Sequence, residues 1–125
     1  MNSSIAKYLV LTIRVVLTLA FLAAGIAKLM GAEMMVATFD SVGWGQWFRY
    51  VTGIIEIGGA ILLWVPGVQI LGALLLVCTM IGALFAHITV LGMGTAPPAI
   101  ILGILSAVMI AVHRDQIRRF TGAAA

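Results

Sequence analysis

The sequence predicts an all-α fold: an integral membrane four-helix bundle, up-down-up-down, with both termini cytoplasmic. Three observations carry this. Hydrophobic residues make up 63% of the chain and charged residues 9%, against roughly 45–50% and about 25% in soluble domains. Four apolar stretches have lengths that bracket the ~20 residues needed to cross a bilayer. The basic residues sit mainly at the two ends of the chain, Lys7 and Arg14 at the start and Arg114, Arg118 and Arg119 at the finish, as the positive-inside rule expects of an even number of spans.

The first span runs from about Ala6 to Met30. Lys7 followed by LAFLAAG has the look of a secretory leader, but Arg14 interrupts that stretch and the apolar character continues to Met30, so a retained helix is expected. The second span, Trp47 to Trp64, is stopped by Pro66-Gly67. The third, Val68 to Leu91, ends at Gly92-Met93-Gly94. The fourth opens at Pro97-Pro98, where proline lacks only a donor the first turn does not use, and continues to His113. The segment from Gly31 to Gln46 reads as the one long loop and the other two connections as tight turns, so sequential spans are antiparallel neighbours. That segment carries Glu33 and Asp40 without Lys or Arg, as expected outside; Lys28 and Arg49 flank it and argue the other way. Trp44, Trp47 and Tyr50 suit the outer headgroup level, and Tyr8 and Trp64 the inner one.

The 125 residues form a single transmembrane domain, expected in the plasma (inner) membrane, and the lipid bilayer is its first partner. The net charge of +3 is not a basic patch, so no nucleic acid is expected. The one cysteine, Cys78, cannot form an internal disulfide, a CxxC pair or a zinc site, and reads as a small buried or lipid-facing hydrophobe. No metal-ligand spacing is present. The seven methionines read as filler, and Gly25, Gly53, Gly58, Gly59, Gly72, Gly82 and Gly103 as positions where helices approach closely.

Ionisable residues inside the spans are the informative ones, because each costs at least ~2.5–3.5 kcal/mol at the bilayer centre. Arg14 and Lys28 lie about 40° apart around the first helix, with Thr18, Phe21 and Gly25 on the same stripe. Arg49 and Glu56 lie about 20° apart around the second. Cys78 and His87, nine residues apart, fall on opposite sides of the third. Lys28 is near the outer end, His87 about 7 Å and Glu56 about 13 Å below it. Side chains lean toward their own helix N-terminus, so Lys28 and His87 lean into the membrane and Glu56 leans outward. All three converge on one level as a ligand-binding or structural polar cluster, with Arg49 near its mouth. Glu56 alone in oil would be neutral, and a cation beside it keeps it ionised. Arg14 leans the other way and reaches the cytoplasmic face.

An early Arg in the first helix (Arg14), a Gly-x-x-Lys closing it (Gly25 to Lys28), a Gly-x-x-Glu in the second (Gly53 to Glu56) and a late His in the third (His87) resemble the DoxX-like family of small four-span membrane proteins. The resemblance covers roughly Tyr8 to Arg114. It implies a membrane bundle of the kind linked to quinone-coupled sulfur oxidation or to accessory and assembly roles. Thiosulfate oxidation is not carried over, since the chain has no soluble partner domain, and relatives that do thiol chemistry use paired cysteines.

Three functions remain open. The first is an accessory subunit, not itself an enzyme, that binds a quinone or other lipid-soluble small molecule at the Lys28, Glu56 and His87 cluster. The second is a proton-coupled small-molecule transporter using Glu56. The third is a non-catalytic assembly or chaperone protein, working in a larger membrane complex or a homo-oligomer.

Overall fold

A computed structural model describes residues 3–117, and every regular element in them is helical. Arg118 and Arg119, which the orientation reading uses, lie outside the described residues. Helix α1 (Ser3–Met30) is an uninterrupted run of 28 residues, about 42 Å long at 1.5 Å per residue. Thr12 and Thr18 donate their hydroxyl protons to the carbonyls of Tyr8 and Arg14 at 2.8 and 2.7 Å, which keeps two polar side chains satisfied within an apolar helix.

The segment expected to be a loop contains a helix, α2 (Glu33–Val42), which corrects the reading of Gly31 to Gln46. Gly31 turns the chain into it at φ +72°. Gly43 ends it at φ +83°, with its N–H returned to the Phe39 carbonyl, a left-handed cap that glycine adopts without strain. The Gln46 side chain donates to the Val36 carbonyl at 3.0 Å and ties α2 to the start of the next helix.

Helix α3 (Gln46–Leu62) buries a single stripe, Arg49, Gly53, Glu56, Gly59 and Ala60, at the three- and four-residue intervals of one helical face. Helix α4 (Gln69–Ala86) buries Ile70, Gly72, Ala73, Leu76 and Met80. The third stretch continues to Leu91, but not as α-helix throughout: His87–Leu91 is a π-helical turn, followed by a short 3-10 turn at Met93–Thr95. Helix α5 (Pro97–Val112) has proline in its first turn, as expected, and leads into a 3-10 turn at Arg114–Gln116. There Gln116 accepts from the Ile70 N–H at 3.0 Å and donates to Gln69 at 2.6 Å, capping the start of α4.

Helix α3 packs between α1 and α4, and α5 closes the set against α4 and α1, while α2 lies on α3 and the π turn. Leu17, Phe21, Leu63, Leu76 and Met109 form the fully buried centre. Two backbone crossings set the spacing. A Cβ on Gly53 would meet the Gly25 carbonyl at 3.0 Å, and a Cβ on Gly72 would meet the Gly59 carbonyl at 2.6 Å. Small residues permit that approach, and the dense contact it allows holds helices together where water does not drive association. Not every glycine serves this end: Gly58 and Gly82 face open space.

Among the described residues two stretches are long and apolar enough to cross a membrane, Ser4–Met30 and Gln69–Leu91, and Pro97–Val112 is apolar but shorter.

Candidate functional site

The α1–α3 crossing brings the two charged motifs together. Lys28 follows Gly25 by three residues on α1, and Glu56 follows Gly53 by three on α3. The two helices run antiparallel: Lys28, late in α1, meets Arg49 and Glu56, while Thr18, earlier in α1, meets Trp64, just past the end of α3. One turn past the crossing therefore leads in opposite directions on the two helices. Each side chain leans back toward its own N-terminus, so the ammonium and the carboxylate meet at the level of the glycines. Lys28 Nζ lies 2.6 Å from Glu56 Oε1, with Glu56 2% and Lys28 12% exposed. The contact is a close ion pair. Burying two charges is costly, and the pair is tolerable because each supplies the other's counterion.

The pair borders a cavity of about 410 Å³ between α2, α3 and α4, within the 300–1,000 Å³ range of small-molecule sites. Its walls are mostly apolar: Met35, Phe39 and Val42 from α2, Val51 and Ile55 from α3, Leu75 and Met80 from α4. The polar lining consists of Lys28, Glu56, His87, Cys78 and three threonines. Thr38, Thr52 and Thr79 already donate to carbonyls one turn back, so toward the cavity they act only as acceptors.

His87 lines the same cavity as Lys28 and Glu56, yet no hydrogen bond or ion pair joins it to either. It opens the π turn, and its Nδ1 lies 3.1 Å from the Gly92 carbonyl and 3.0 Å from Thr95 Oγ1. A carbonyl only accepts, so the bond to Gly92 calls for the proton on Nδ1. Cys78 also borders the cavity, is exposed, and makes no pair with His87.

Arg49 does not line the cavity. It is 5% exposed and sits behind Lys28, donating to the Lys28 carbonyl and, at 2.7 Å, to Gln46 Oε1. Its guanidinium stacks on Tyr50, 4.4 Å from the ring centre. An arginine on the last carbonyls of a helix satisfies acceptors that have no partner within it, so Arg49 fastens the end of α1 to α3 and fixes the backbone that carries Lys28.

Arg14 is at the other end of the molecule. Its Nη2 is 3.4 Å from His113 Nε2 and its guanidinium lies 5.4 Å from the Trp64 ring centre. It takes no part in the cavity. Among the described residues no group of three or more metal-ligating side chains occurs.

Sequence reasoning passed over the contribution of α2 and the threonines. The signal for α2 is present, because Met35, Thr38, Phe39 and Val42 recur at i, i+3, i+4 and i+7, the spacing of one helical face.

Together these features define a class: a small helical protein whose apolar helices enclose a paired Lys and Glu beside a largely apolar cavity. The sequence profile of the DoxX-like family matches residues 12–111, and the chain belongs to that family. It is a DoxX-like membrane protein. No curated protein and no solved structure matches the chain.

Proposed function

We propose that α1, α3, α4 and α5 cross the plasma (inner) membrane as an up-down-up-down bundle with cytoplasmic termini, and that the cavity holds the polar end of a lipid-soluble small molecule of quinone type. The protein then acts as an accessory, ligand-holding subunit of the membrane rather than as an enzyme. Outward apolar residues on the two shorter helices support four spans: Ile54 and Ile61 on α3, and Ile101, Ile104 and Val108 on α5, are all exposed. Such continuous apolar surface suits lipid and not water.

The observation that carries the ligand reading is the cavity itself, apolar on most of its wall and charged at one end by Lys28 and Glu56. A quinone-type headgroup offers a carbonyl that accepts from the two ammonium protons Lys28 keeps beyond Glu56. Its reduced form offers a hydroxyl that donates to the carboxylate. The α2 residues Met35, Phe39 and Val42 provide the apolar surface for ring and tail.

The test is titration of the protein in dodecyl maltoside with decylubiquinone, followed by tryptophan fluorescence, beside the isosteric Glu56→Gln variant. The expected result is saturable binding that weakens by about tenfold or more in the variant, the size of one charged hydrogen bond. Absence of saturable binding, or equal binding by a Glu56→Gln protein with unchanged helicity, overturns the reading. Proton release on binding that vanishes in that variant would favour transport instead.

A further inference from the structure

A second site lies at the opposite end of the molecule from the cavity. We propose that Arg14, with Trp64 and His113, binds the phosphate of an anionic phospholipid headgroup at the cytoplasmic surface. This goes beyond the cavity reading and needs only the membrane placement.

The starting point is an unbalanced charge. Arg14 is half-buried where α1 meets the ends of α3 and α5. The one ion pair among the described residues is Lys28–Glu56, so no carboxylate oxygen of those residues lies within 4.0 Å of this guanidinium. Its Nε is fully buried without a hydrogen-bond partner. The neighbours it does have are neutral. Arginine only donates, so the contact with His113 Nε2 makes the histidine an acceptor and places its proton on Nδ1. Trp64 offers a ring face, and its indole N–H is committed to Thr18 Oγ1 at 2.7 Å. Thr18 in turn donates to the Arg14 carbonyl, so tryptophan, threonine and the arginine backbone form one braced unit. A guanidinium fixed in this way, in a membrane protein, has among the described residues no counterion to offset its desolvation.

The surroundings favour an anion from the lipid. Lys7 is seven residues before Arg14, so it lies about 20° from it around α1 and about 10 Å further along the axis. Lys7 and Arg114 are both exposed. Tyr8 and Trp64 are exposed at the same end, as aromatics at headgroup level are. Asp115 is the acidic residue close to His113. It is more than 4.0 Å from Arg14, so an anion would approach from the Lys7 side of α1. A phosphodiester meets the planar fork of arginine with two parallel hydrogen bonds. Basic pockets between spans on the cytoplasmic side are where anionic headgroups are held.

The experiment uses the full chain in dodecyl maltoside. Thermal stability and native mass spectrometry are measured with added phosphatidylglycerol, phosphatidylcholine or inorganic phosphate. Phosphatidylglycerol alone is expected to raise the melting temperature and remain as a retained adduct. Its apparent affinity should fall about tenfold or more in Arg14→Gln and less in Arg14→Lys, which keeps the charge but not the fork. If Arg14→Gln does not fold, Lys7→Gln, which leaves the braced unit intact, is expected to weaken the same adduct. Equal retention of phosphatidylcholine, or undiminished phosphatidylglycerol binding by the variants, overturns the proposal. An equal stabilisation by inorganic phosphate overturns the lipid source in favour of a soluble anion.

Discussion

Adding one methyl group at Gly72 should loosen the α3–α4 pairing. The Cβ of Gly72→Ala would lie 2.6 Å from the Gly59 carbonyl oxygen, 2.9 Å from Leu62 Cβ and 3.0 Å from the Leu63 nitrogen. Ordinary contact begins at 3.4 Å, so the oxygen must retreat by 3.4 − 2.6, or 0.8 Å. No side-chain rotation relieves this, because two of the three obstacles are backbone and the third is a Cβ fixed to it. The helices must separate, and overpacking of this kind costs roughly 1–3 kcal/mol. Gly82, on the same helix, has nothing within 4 Å of its would-be Cβ. Gly82→Ala should therefore gain the ordinary helix preference of alanine, about 0.5–1 kcal/mol. Unfolding of both variants by sodium dodecyl sulfate in dodecyl maltoside, followed by circular dichroism, gives the comparison. The helix preference is common to both variants, so the two should differ by the overpacking cost, roughly 1–3 kcal/mol, with Gly72→Ala the weaker. Equal midpoints would refute the claim that the crossing is set by backbone contact.

The Lys28–Glu56 pair and the cavity thiol give two further expectations. Lys28→Met leaves a buried carboxylate without its cation and should cost about 3–5 kcal/mol, whereas Lys28→Met combined with Glu56→Leu should return to within ~1 kcal/mol of the parent; additive losses in the double-mutant cycle would show that the two groups are not coupled. Cys78 is exposed on the cavity wall, so a lipid-soluble maleimide should label it and decylubiquinone should slow the labelling. An unchanged rate at saturating quinone would separate the thiol from the ligand's position.

The helical class, the approximate limits of the apolar stretches and the meeting of Lys28 with Glu56 were legible because they follow from hydropathy, helical geometry and the cost of a solitary charge in oil. The helix from Glu33 to Val42 was less so. It is too short to register as a span, and its apolar face becomes meaningful only with α3 and the π turn beneath it. Arg49 shares a helix face with Glu56, yet the carbonyl that holds it belongs to Lys28, on another helix. His87 borders the same cavity as Lys28 and Glu56, but its ring is turned to Gly92 and Thr95 at a π turn, and hydropathy carries no information about that local change of pitch. The contact of Arg14 with His113 spans 99 residues of sequence, and only the closing of α5 on α1 creates it.

Glu56 stands midway along α3 between Gly53 and Gly59, the residues at which that helix touches α1 and α4. A rod held at two points on either side of its working group has little freedom to tilt or slide there. The carboxylate is thus set by the fold, and a molecule of the kind proposed above would gain its contacts without first having to order the host. The opposite wall is the short α2 segment, set between Gly31 and Gly43 and held to α3 by Gln46.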